Sequence, residues 1–194
     1  MTHRIQIIPA DEAHIAIIAP RMRAADVAEV WAAGRRSPHE ALALSLEHAT
    51  HASTVTLDGR PEMMFGVGAL CLATGHGVPW LLGTDAVVRH QMHFLREAQA
   101  ELARMLQTYP VLRNLVDDRN SVSKRWLRWL GFTLFPPEPY GADGALFSPF
   151  ELRVDHVRFR TGADGRLRCD RRRRADPAGA GDRGGGAIQC ADRP

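Results

Sequence analysis

Two stretches of this chain put chemically able side chains at short spacing. Asp117, Asp118 and Asn120 directly follow the apolar run VLRNLV. Positions just past a strand end are where α/β folds commonly hold their sites, although a DDRN cluster serves equally well as a turn and a helix cap. His90, His93 and Glu97 stand at helix-compatible steps and could share a metal ion. Three polar side chains on a solvent-facing helix is the commoner arrangement, so no metal site is assigned, and His48 and His51 have the same standing. Spacing assembles no Ser-His-Asp set and no Cys-His pair, which leaves the catalytic residues unassigned. Cys71, Cys169 and Cys190 are isolated and support neither a disulfide framework nor a zinc site; Cys71, within ALCLA, reads as a small buried hydrophobe.

Hydrophobic spacing gives the elements that must position these groups. RIQIIP is a strand closed by Pro9, Asp11 and Glu12. PRMRAADVAEVWAAG is a helix with Val27, Val30 and Trp31 on one side, opened by Pro20 and stopped by Gly34. Ser37, Pro38 and Glu40 form a capping box for a second helix with Leu42, Leu46 and Ala49 inward. ASTVTLDGRPEMMFGVGAL is a hairpin turning at Asp58-Gly59-Arg60-Pro61, and VPWLLGTDAVV is a further strand. HQMHFLREAQAELARMLQTY is the longest helix, burying Phe94, Leu95, Leu102, Met105 and Leu106. The strand Val111 to Val116 leads into SVSKRWLRWLGF, a short helix with Val122, Trp126, Trp129 and Leu130 on one face and Gly131 in the left-handed stop position. Both tryptophans are expected to plug the core or the cleft beside the fifth strand, each costing roughly 3 to 5 kcal/mol on replacement by Ala where the ring is fully buried. FTLF and ALFSPFELRV supply the last strands.

The chain has 194 residues, 45% of them hydrophobic, enough for one domain with a sizeable core. No apolar run approaches the roughly 20 residues that cross a bilayer, and there is no secretory-signal pattern at the start, so a cytoplasmic location is expected and no membrane segment. The net charge of +3 divides unevenly: residues 156–194 hold ten Arg against five Asp, and residues 1–155 hold 15 basic against 17 acidic side chains. Residues 1–155 are therefore read as the folded domain, and 156–194 as an Arg- and Gly-rich disordered tail. Such a tail gains too little from burial to offset about 1 to 2 kcal/mol of backbone entropy per residue. Its deletion from 157 onward is expected to leave the melting temperature unchanged, with trypsin cutting first between Arg158 and Arg174. Arg171–Arg174 could contact phosphate or nucleic acid, the one place where such a partner is possible, but a solvated run without that role is the commoner case.

The order β-α-α-β-β-β-α-β-α-β-β, with Asn120, Ser123 three residues on and Gly131-Phe132 closing the short helix, resembles the GNAT acyltransferase superfamily over residues 1–154. The resemblance implies an α/β (α+β) fold, a mixed sheet of about six or seven strands flanked by about four helices. It also implies an acyl-CoA pyrophosphate at the turn after the fourth strand, here LGTDAVVRHQMH. That places Thr84, Asp85 and Arg89, with Asn120 and Ser123, as the residues that would hold acyl-CoA. Gly83 is not followed by the second glycine that lets phosphate approach a backbone, and Thr84 or Asp85 reads equally as a plain helix cap. Where many catalytic members carry a Tyr to protonate the departing thiolate, this chain has Leu127, which cannot donate.

DVAEVWA, SPHEAL, MFGVGAL, PWLLGTDA, NLVDDRNSVSKRWLRWLGF and PYGADGALFSPFEL together resemble a family of short-tailed phage proteins with a GNAT-like fold, which includes the smallest internal virion protein. This implies a phage or prophage protein, and together with Leu127 and the missing second glycine it points to one that is noncatalytic and needs no cofactor. It would act in particle assembly or infection, with other virion proteins as partners, in the host cytoplasm or incorporated in the virion. The alternative is a CoA-dependent N-acyltransferase.

Overall fold

The computed structural model describes residues 4–71 and 74–171. Residues 172–194, with Arg172–Arg174 of the arginine run, lie outside the described residues, as do the side chains of Cys71, His93 and Arg171. The sheet is built from β1 (Ile5–Pro9), β2 (Ala49–Leu57), β3 (Arg60–Cys71), β4 (His76–Gly83), β5 (Val111–Asp117), β6 (Thr133–Leu134), β7 (Glu138–Pro139) and β8 (Leu146–Arg153). Its order is β1-β2-β3-β4-β5-β8-β6, with β7 also on β8. Every pairing is antiparallel except β4 with β5.

The helices are α1 (Glu12–Ile18), α2 (Ala24–Gly34), α3 (Pro38–Glu47), α4 (Asp85–Arg89), α5 (Gln91–Thr108) and α6 (Ser121–Leu130). The Ser37–Glu40 capping box forms as the sequence predicts, as do the hairpin turn at Asp58-Gly59 and the left-handed stop at Gly131 (φ 99°). α1 is an addition to the predicted order. Asp11 caps it, and Ile15 and Ile18 pack with Leu42, Met64 and Leu82 in a second, smaller core on one face of the sheet. The main core lies on the other face, under α5 and α6.

Three expectations fail. Trp126 is buried, but Trp129 is 45% exposed, because α6 docks only along its Trp126 edge. On α2 the apolar side is turned out: Val27 and Trp31 are exposed, Trp31 stacking on Arg35, while Asp26 is buried. The supposed tail also begins too early, because β9 (Val157–Thr161) and β10 (Leu167–Arg171) form an antiparallel hairpin against α5. Its few apolar side chains suffice because they alternate onto one face. Val157 and Cys169 are buried, and Arg166 pairs with Glu97 on α5.

Candidate functional site

β4 and β5 pair only at His76↔Val111 and Gly77↔Leu112, and then diverge. Asn114 bridges the start of the gap, its Nδ2 donating to the Pro79 carbonyl at 2.9 Å. At the far end the β4 edge is closed by the chain leading into α2: Arg23 N–H donates to Gly83 O (2.9 Å), and Gly83 N–H donates to Asp26 Oδ2 (3.2 Å). Main-chain groups of alternate residues in an antiparallel ladder face the same side, so Leu81, between Pro79 and Gly83, presents its N–H and C=O to the gap. The result is a cleft of about 370 Å³ that passes through the sheet. Phe94, Trp126 and Leu127 line it from α5 and α6; Asp26, Glu29 and Val30 line it from α2.

The α2 side carries the charge. Arg23 and Asp26 are both almost fully buried, which costs several kcal/mol per ion unless each is paired. Here Arg23 donates to Asp26 through Nε (2.9 Å) and Nη2, donates to Ser123 Oγ at 3.1 Å, and lies over the Trp126 ring with its Cζ 5.2 Å from the centroid. Glu29, one turn further along α2, accepts from Asn120 Nδ2 at 2.8 Å. Burial pushes its carboxyl up to about 7; the nearby Asp26 and Asp117 charges push the same way, and the Asn120 hydrogen bond opposes them. Asp117 behaves differently. Burial alone would raise it, but its bonds with Arg119 hold it below the usual range. Asp118 is spent on Lys124 and Ser148.

The five residues that the resemblance would give to acyl-CoA do not form one cluster. Ser123 lines the cleft, and Asn120, buried, caps α6 and orients Glu29 from behind. Thr84 is turned inward: its N–H donates to Glu62 O, its hydroxyl pairs with the Glu62 carboxylate, and its Oγ1 caps α4. Asp85 and Arg89 are exposed on the short α4. The cleft therefore offers an open strand edge, while the turn after β4 does not form a glycine cradle for pyrophosphate. Sequence reasoning missed Arg23, Asp26 and Glu29. Their signal was the run of ionisable residues at three-residue steps, which puts all three on one helical face.

The sequence matches no family model and no curated protein. Solved structures do match. The ribosomal-protein-S18-alanine N-acetyltransferase from Escherichia coli is 14% identical and superposes with a TM-score of 0.55, covering 78% of this chain and 94% of its own. For yncA from Salmonella typhimurium, solved with its cofactor acetyl-CoA, the values are 16%, 0.56, 78% and 94%. An acetyltransferase (GNAT family) from Bacillus anthracis gives 10%, 0.59, 78% and 96%. None of these neighbours speaks for the phage family of the closer resemblance. At such identities the likeness concerns the backbone alone, and on that ground the chain has the fold of the GNAT acetyltransferases.

Proposed function

We propose that this protein is an acyl-CoA-dependent N-acyltransferase whose general base is Glu29. The observation that carries the reading is a carboxylate poised near neutral pH in a through-sheet cleft beside an open strand edge. Acyl-CoA supplies an activated thioester carbonyl. The main-chain N–H and C=O of Leu81 pair with the amides of its arm, as an added strand would. Glu29 takes the proton from the acceptor ammonium; a base near 7 is better matched to that task than an ordinary carboxylate, and Asn120 fixes the carboxyl for it. Leu127 leaves the departing thiolate without an acid at that position. An unperturbed thiol titrates near 8.5, so the thiolate can be protonated by water, and the substitution slows transfer rather than preventing it.

A second reading, a noncatalytic role in phage particle assembly or infection, is favoured by Leu127 and by the missing glycine cradle. Titration calorimetry of acetyl-CoA into the full chain separates the two. Stoichiometric binding, with thiol release on addition of a primary amine, is expected for the enzyme. Absence of binding at millimolar ligand would leave the assembly role as the better account.

A further inference from the structure

Accepting the acyltransferase reading, we infer that the acceptor is a free apolar α-amino acid, its ammonium held by Glu29, its carboxylate by Arg36, and its side chain by the apolar wall between them. Both charged residues line the cleft on the α2–α3 side, seven positions apart on and just past α2. A helical rise of about 1.5 Å per residue puts Gly34, against which the Arg36 guanidinium lies, roughly 7.5 Å along α2 from Glu29. That span suits two ion-pair contacts with one small zwitterion between them. Arg36 makes no ion pair among the described residues. The neighbouring carboxylate, Glu40, is committed to the capping box with Ser37.

A Cβ at Gly34 would stand 2.7 Å from Arg36 Nη1, so the glycine provides the room in which the side chain folds back. Val30, Ala33, Leu44 and Trp80 form the wall, and the Trp80 Nε1–H is buried without a partner among the described residues. Acceptor length is limited on the same side. Tyr140 lines the cleft, and its loop is tied to the last turn of α2 by Ala142 N–H donating to Ala32 O at 2.9 Å, and by Arg35 with Asp143. At about 370 Å³ the cleft is at the small end for a ligand site, and it must also admit the thioester end of the donor. Transfer forms a C–N bond to the thioester carbon and breaks its C–S bond. One ammonium proton goes to Glu29 and a second to the leaving sulfur, giving the N-acyl amino acid and free CoA thiol.

The test uses the full chain with acetyl-CoA and three probes: leucine, 3-methylbutylamine, which lacks the carboxylate, and leucine amide as a peptide-end mimic. Leucine is expected to have the highest kcat/KM. Arg36→Gln should raise its KM about 10- to 100-fold, the scale of a lost charge-assisted contact, with little change in kcat and none for 3-methylbutylamine. Gly34→Ala, which keeps the charge but displaces it, should raise the leucine KM by a smaller factor. Calorimetry of leucine alone should show the same loss in Arg36→Gln, independently of turnover. Equal use of leucine and 3-methylbutylamine, or preference for leucine amide, with acetyl-CoA still bound, overturns the amino-acid assignment and leaves the acyltransferase intact. Failure to bind acetyl-CoA removes both.

Discussion

The two walls of the cleft are built on opposite principles. The wall from α5 and α6 is apolar, with Phe94, Leu102 and Trp126 packed together, whereas the wall from α2 puts Arg23, Asp26 and Glu29 where a core would ordinarily have aliphatic groups. The first is held by area removed from water, which tolerates no void. The second is held by specific partners, and it tolerates buried charge only while each partner stays in place. Arg23 joins them, pairing with Asp26 on one wall and lying over the Trp126 ring on the other.

The sharpest way to break the contrast is to remove the shared ring. Trp126→Ala should cost roughly 3 to 5 kcal/mol in denaturant unfolding, since it opens a void against Phe94, strands Gln91 and bares Arg23. Trp129→Ala, three residues on but 45% exposed, should lie within about 1 kcal/mol of the parent. Equal losses would mean that the helix face, not the individual ring, is the unit of packing.

Glu29 tests the charged wall. Its folded value of about 7 lies above the 4.5 of an unperturbed Glu, so the native state holds the proton more tightly than the unfolded chain does. Its contribution to stability is therefore largest below pH 4.5 and falls as pH rises to about 7. Glu29→Gln should raise the free energy of unfolding at pH 8 by up to about 3 kcal/mol before discounting for solvent at the cleft mouth, and should have no such effect at pH 4. In activity the sign reverses. The parent's kcat/KM should rise through about pH 7, and the Gln variant should lose that limb and roughly 100-fold or more in rate. A variant that keeps the limb would transfer the base to another group.

The smallest effect concerns the β9–β10 hairpin, which backs the apolar wall from outside α5. Cutting the chain after His156 should lower stability by roughly 2 to 3 kcal/mol, from loss of the apolar contacts that Val157, Leu167 and Cys169 make with the main core and of the Arg166–Glu97 pair. Trypsin should cut slowly at Arg160, Arg166 and Arg168 while the domain is folded. Rapid cleavage there with an unchanged melt would restore the tail boundary read from sequence.

What could be read from sequence was what obeys a period. The capping box at Ser37, the Asp58-Gly59 turn, the apolar face of α5 and the Gly131 stop all follow from local rules, and most of the element order along the chain followed from them. The misreadings share a cause. Val27 and Trp31 have the spacing of a core face, but the position of α2 is set by the Arg23 N–H and the Asp26 carboxylate bonding the main chain of Gly83, some 60 residues away, which no local pattern reports. The hairpin was hidden by arginines at alternate positions, which mask a strand whose other face is buried. Of the candidate site, Asn120 and Ser123 were legible through family spacing, and Glu29 was not, because its environment exists only once α2 and α6 meet.

The gap between β4 and β5 leaves an unpaired strand edge in the interior of a sheet instead of at its rim. At a rim, an apolar run such as Trp80-Leu81-Leu82 would template pairing with another molecule, and proteins blunt such edges with charge or proline. Here α2 covers one side of the gap, and α5 and α6 cover the other, so a second sheet cannot reach it. The fold thereby keeps a strand edge that is adhesive toward a thin extended ligand yet inert toward copies of itself. Resistance to aggregation at this edge comes from its enclosure and places no demand on the residues that line it.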